Sequence, residues 1–190
     1  MSVRIRSFIA IDLEDKIVRS KLITTQGLLS KTGVDLKFVE KENLHLTFKF
    51  LGEVSQELIK GIENVLSELR FKPFKAEVLG VGVFPRLTRP RIIWAGFRKG
   101  ETELRELFKE TELRLKKVGI QSERNPFHPH ITLARVRSGK NRDLLIRQIL
   151  ELSDEPFGEI KINSLRLKKR ILTPRGPIYS TIYDLKAEVD

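Results

Sequence analysis

The sequence predicts an α+β fold of two pseudo-symmetric lobes, a duplicated β-α-β unit with outer helices and a central cleft. Three observations lead there. The triplet His-x-Thr occurs twice, as His45-Leu46-Thr47 and His130-Ile131-Thr132, with equivalent positions 85 residues apart. Phe74 and Phe157 open the next extended stretch of each half at nearly the same interval. The order of strand-like and helix-like patterns around the first triplet recurs around the second, which is how an internal repeat reads. The 190 residues therefore suit a single two-lobed domain, residues 1–190, with repeats over approximately 1–85 and 90–172.

Residues 4–13, rich in Ile and Phe, read as a strand, and the acidic residues Asp12 and Asp15 suit the start of a helix. That helix carries Ile17, Leu22, Ile23, Leu28 and Leu29 at roughly helical spacing and ends near 27–31. A second strand covers 35–39. In the third, Leu44, Leu46, Phe48 and Phe50 alternate with His45, Thr47 and Lys49, so the apolar set packs on a core and the polar set is free for chemistry. Ser55 then caps a helix with Leu58, Ile59, Ile62, Val65, Leu66 and Leu69 on its inner face. Residues 75–84 return as a strand, and Gly80 and Gly82 inside it predict a bulge or a close backbone approach.

Pro85 and Pro90 bracket the best candidate boundary in the chain. Beyond it, 91–96 resembles the opening strand, 102–117 is an amphipathic helix, the His130 strand follows, and 141–152 is the matching helix. The tail departs from the repeat. A very basic strand over 165–171 precedes a turn over 172–177 and a final strand over 179–187. Arg166, Lys168, Lys169, Arg170 and Arg175 make it the densest positive run.

Composition narrows the chemistry. Cysteine is absent, which removes disulfides, thiolate nucleophiles and sulfur-ligated zinc, and three histidines are too few to suggest a structural metal site. We expect no metal and no cofactor. The formal charge of +11 favours an anionic partner, nucleic acid above all, because each neutralised phosphate releases counterions. No stretch is long enough to span a membrane, and the apolar patch Phe8-Ile9-Ala10-Ile11 is too short for a signal peptide, so we read a cytoplasmic protein. Abundant Lys, Arg and Glu with one Met match the bias of hyperthermophile proteins.

In a strand, His and Thr two positions apart share a face, so each triplet presents an imidazole beside a hydroxyl. A pseudo-twofold axis brings both faces into one cleft. Two imidazoles there supply an acid and a base near neutrality, and two hydroxyls can bond the non-bridging oxygens of a phosphate. Such a cationic cleft suffices to open a cyclic phosphodiester. A lone His-x-Thr would read as a structural histidine; the duplication reverses that preference. His128 shares a face with His130 and reads either as part of a three-histidine metal site or as a strand-entry residue; with no carboxylate motif beside it, the second is preferred. Lys49 is either a phosphate contact or a solvated cation. Phe8 and Trp94 read as core aromatics, while Tyr179 is equally a base-stacking platform. The basic strand is either an RNA track or a solvated face.

The string His45-Leu46-Thr47-Phe48 followed by Phe50-Leu51-Gly52, together with Phe127-His128-Pro129-His130-Ile131-Thr132-Leu133-Ala134-Arg135 and Gly176-Pro177-Ile178-Tyr179, resembles the two-histidine phosphoesterase superfamily. Within it the resemblance is to the RNA 2',3'-cyclic phosphodiesterase branch, historically the 2'-5' RNA ligases. It covers essentially the whole chain. It implies antiparallel-rich sheets and hydrolysis of an RNA 2',3'-cyclic phosphate to a 2'-phosphomonoester, with His45 as proton donor and His130 as proton acceptor. It further implies that Thr47 and Thr132 grip the phosphate and that Arg135 contacts substrate, with Lys49 and Tyr179 as additional candidates. An unbroken strand would aim Arg135 away from His130, so its role needs a bulge or a strand end.

Three functions fit the sequence. The first is a metal-independent cyclic phosphodiesterase acting as a monomer on RNA ends such as those of tRNA fragments. The second is the reverse joining, a 2'-5' RNA ligase acting on 2',3'-cyclic phosphate and 5'-hydroxyl ends. The third is a non-catalytic RNA- or nucleotide-binding module, against which the intact pair of motifs argues.

Overall fold

The computed structural model describes residues 4–173 and 176–188. In chain order these form β1 (Arg4–Asp12), α1 (Lys16–Ser30), β2 (Leu36–Phe38), β3 (His45–Ser55), α2 (Gln56–Ser67), β4 (Phe74–Arg86), β5 (Arg89–Phe97), α3 (Glu101–Lys116), β6 (His130–Val136), α4 (Arg142–Glu151), β7 (Pro156–Ile162), β8 (Ser164–Thr173) and β9 (Gly176–Lys186). Ser55 caps its helix as the sequence predicts, and of the acidic residues expected at the first helix start Asp15 is the cap. Asp15 accepts from the Val18 amide at 2.8 Å and Ser55 from the Leu58 amide at 3.2 Å. Arg175, counted in the basic run, lies outside the described residues.

The strands form one sheet in the order β7-β4-β5-β6-β3-β1-β8-β9, with β2 paired to β6 beside this path. Every pairing between these strands is antiparallel. One face carries Ile9, Ile11, Leu46, Ile93, Ile131 and Leu133 into a continuous core that the helices cover with Leu22, Leu29, Ile62, Leu66, Leu104 and Leu115. The opposite face stays open. At the centre β3 meets β6 through the single register pair Leu46↔Ile131, which are equivalent residues of the two repeats.

The halves of the sheet do not coincide with the halves of the sequence. β4 closes the first repeat, yet pairs with β5 and β7, while β8 and β9 extend from β1. The stretch expected as a boundary is therefore a hairpin corner, with Arg86 opposite Arg89 and Leu87 and Thr88 at its tip. Its prolines face each other one pair from the end of the ladder, beside a register shift, a place that tolerates a residue without an amide hydrogen.

Three irregularities shape the site. Gly80 interrupts the β4–β5 register at φ +73°, and a Cβ there would lie 2.2 Å from the Ser153 carbonyl oxygen. At Gly82 a Cβ would lie 2.3 Å from the Trp94 ring. The sequence expectation for this strand, a bulge or a close approach, is met by both. The other two irregularities are a matched pair. Ile9 and Ala10 face Lys49 and Thr47, leaving Phe48 as an extra residue in β3; Ile93 and Trp94 face Ala134 and Thr132, leaving Leu133 extra in β6. A one-residue bulge inverts the alternation beyond it.

Candidate active site

That pair of bulges decides what joins the histidines. In β3 it turns Lys49 inward, leaving it only 4 % exposed, and turns Phe50 outward to 69 %. The expected faces are thereby corrected: Phe50 joins the His45 face and Lys49 leaves it. Lys49 instead pairs with Glu112 at 2.8 Å and Glu123 at 3.2 Å and donates to the Gln121 carbonyl at 2.7 Å. It ties β3 to α3 and is no phosphate contact. In β6 the equivalent bulge turns Arg135 outward, onto the open face, where it lines a hollow of about 260 Å³ with Arg6, Phe8, His45, Phe50, Arg170 and Tyr179. This resolves the difficulty that an unbroken strand posed.

The register across the centre sets the relation of the two motifs. Because Leu46 pairs with Ile131 in an antiparallel sense, His45 stands opposite Thr132, and Thr47 opposite His130. All four side chains share the open face, each imidazole across from the other motif's hydroxyl, with directly opposed Cβ atoms about 5 Å apart. Neither threonine hydroxyl bonds to another described residue. His130 and Thr47 line a second, wider hollow of about 500 Å³, whose wall is Phe48, Phe50, Phe84, Phe108 and Phe127.

Both imidazoles are held alike. His45 Nδ1 lies 2.6 Å from the Asn43 carbonyl oxygen, and His130 Nδ1 lies 2.7 Å from that of His128. A carbonyl only accepts, so each Nδ1 carries its hydrogen and each Nε2 is left to exchange a proton. Burial pushes both histidines below their ordinary value of 6.5; at His45 the Asn43 carbonyl and Asp12 oppose this, and at His130 the His128 carbonyl does.

Their surroundings differ. Asp12 faces His45 in the register of β1 and β3, and Lys168 lies 2.6 Å from both oxygens of its carboxylate, with Arg166 at 2.8 Å. Burial alone would raise the Asp12 carboxyl, but Lys168 and Arg166 outweigh it and hold it below the usual carboxylate range. Gly96 occupies the corresponding place beside His130. Trp94 and Phe84 take the space there, 6.3 Å and 5.0 Å from the His130 ring.

Trp94 is thus beside the site rather than in the core, its indole lying over the space that Gly82 leaves. His128 packs edge-on against Trp94 at 4.9 Å and gives its carbonyl to His130, so it is a strand-entry residue that orients the His130 ring. Among the described residues no group of three or more His, Cys, Asp or Glu is placed to hold a metal. Phe8 is buried, as expected, but it also supports His45 at 5.1 Å and Tyr179 at 5.0 Å. The basic strand divides: Arg166 and Lys168 are neutralised by Asp12, Glu14 and Asp184, while Arg170 opens on the His45 hollow. No helix among the described residues is long and apolar enough to cross a membrane.

Comparison with known proteins agrees with this geometry. A family model described as LigT like phosphoesterase matches residues 13–94 and 98–179, two stretches offset by the same 85 residues as the histidines. The chain is 41% identical over 167 residues to an RNA 2',3'-cyclic phosphodiesterase of Aeropyrum pernix, covering 88% of this chain and 95% of that one. It is 41% identical over 179 residues to the protein of the same name from Archaeoglobus fulgidus, covering 93% and 97%. In three dimensions it matches the crystal structure of E. coli LigT complexed with 3'-AMP, with a TM-score of 0.76 and 25% identity over 98% of this chain and 99% of that one.

Proposed function

The chain belongs to the LigT-like phosphoesterase family, and on that premise we propose that it hydrolyses the 2',3'-cyclic phosphate ends of RNA to 2'-phosphomonoesters, with His45 as proton donor and His130 as proton acceptor. The relatives' activity supports the reaction. The observation that supports a paired acid and base is the shared tautomer, with Nδ1 fixed to a backbone carbonyl at each of the two histidines on adjacent strands; which of them donates and which accepts follows from the family resemblance. In this reading neutral His130 takes a proton from water as the water oxygen attacks phosphorus. The bond from phosphorus to the 3' oxygen breaks, and His45 delivers its Nε2 proton to that oxygen. Thr47 and Thr132 donate hydrogen bonds to the non-bridging oxygens, and Arg135 offsets their charge. Tyr179, edge-on to His45 at 5.5 Å, offers a face to the terminal base. Proton transfer and hydrogen bonding supply the steps without a metal. Both histidines come from one chain, so a monomer suffices, and cytoplasmic RNA fragments such as those of tRNA have the required ends.

The test is an oligoribonucleotide ending in a 2',3'-cyclic phosphate, incubated with the pure protein and a chelator, with the end group identified afterwards. A 2'-phosphate is expected, with turnover reduced about 10²- to 10⁴-fold by His45→Ala and by His130→Ala. A 5'-hydroxyl acceptor in the same tube reports joining. An intact cyclic end on bound RNA would reduce the site to a binding module.

A further inference from the structure

We propose that the body of a single-stranded RNA leaves the active site over the β2 edge, along a cationic path from Arg6 and Arg135 through Arg170 to Lys37. Its direction rests on the hydrolase reading above. In an in-line displacement the leaving and attacking oxygens lie on opposite sides of phosphorus. The ribose that keeps the 3' oxygen therefore sits on the His45 side, and the chain attached to it must continue from there. The hollow at His45 runs into a neighbouring one lined by Lys37, Phe38, Glu40 and Asn43, and the two share Arg135, Arg170 and Tyr179 as a common wall.

Register makes this path continuous: Lys37 is the β2 partner of Arg135 in β6, and Arg170 the β8 partner of Tyr179 in β9. Among the described residues none of Arg6, Lys37, Arg135 and Arg170 is paired with a carboxylate, and the Arg170 Nε is buried without a hydrogen-bond partner. The one acid on the path, Glu40, is held by Asn43 at 2.6 Å. On the other side the His130 hollow is lined by Glu123 and aromatic rings with no Lys or Arg, which suits water and an uncharged group but not a phosphate chain.

The experiment compares a decamer ending in 2',3'-cyclic phosphate with the matching cyclic mononucleotide, and separately measures anisotropy of a labelled decamer ending in 2'-phosphate across a salt series. The decamer is expected to have the higher kcat/KM, by a ratio that shrinks with salt. Lys37→Ala should lower that ratio about fivefold and reduce the salt slope of decamer binding by about 0.7, the value of one phosphate contact on a single strand. Lys37→Arg should restore both. Arg91→Ala, which removes an exposed cation of a separate hollow that it lines with Arg89, Arg137 and Arg142, should change neither. The path is wrong if Lys37→Ala leaves slope and ratio alone, if it slows both substrates equally, or if Arg91→Ala has the same effect. Mononucleotide turnover reports the chemistry separately, so a failed hydrolase still leaves the anisotropy series to judge the path.

Discussion

His45 and His130 are the same device placed twice, and what separates them is the company each keeps. Both donate Nδ1–H to the carbonyl two residues earlier, and burial pushes both below 6.5. The proposed mechanism needs one protonated and one neutral, so kcat/KM should be bell-shaped in pH with its maximum on the acid side of 6.5. Above that maximum the acid is lost; below it the base is. Asp12 is the anion that favours the charged form of His45, opposing burial. Asp12→Asn should therefore lower the His45 pKa further and move the maximum of the profile to lower pH. A pH series of kcat/KM on a cyclic mononucleotide checks both, and a maximum above 6.5 would refute the assignment. The histidines themselves were legible because an uncommon residue type recurs at a fixed interval. Asp12 was not, since its partner in the register lies on another strand.

The bulge is the element that sequence alternation cannot show, because it exists only as a mismatch of count between two paired strands. A strict period of two sends Lys49 to the cleft and Arg135 away from it; one extra residue in each strand reverses both. Strand and helix positions, the Ser55 cap and a bulge or close approach at Gly80 and Gly82 were readable because local chemistry sets them. The fate of Lys49 depends on a pairing far away. Its ammonium is buried against Glu112, so Lys49→Met should cost about 3–5 kcal/mol in urea unfolding by leaving that carboxylate without a partner. The double variant Lys49→Met/Glu112→Leu should recover more than half of the loss. In the folded protein Lys49→Met should keep kcat within about twofold of the parent, because the lysine is not on the catalytic face. A selective loss of kcat with full stability would return Lys49 to the cleft.

At the scale of the molecule, the repeat is a unit of sequence rather than of folding. Residues 1–87 hold β1, β3 and β4, but β4 finds its partners in β5 and β7, and β1 finds its outer partner in β8. Helix α1 likewise packs on β7 and α4, both from the second half. Each half alone would expose unpaired strand edges and an apolar face with nothing to cover it. The short β3–β6 contact at Leu46 and Ile131 is too slight to hold two independent lobes together; the crossed strands do that. Fragments 1–87 and 88–190, cut at the exposed tip of the β4–β5 hairpin, should each lack cooperative thermal unfolding by circular dichroism. Mixed from denaturant, they should recover a single transition and cyclic phosphodiesterase turnover, since each fragment contributes one His-x-Thr motif. Independent cooperative folding of either fragment would show that the repeat is a domain in its own right, and would assign the crossed pairing to assembly of two finished lobes.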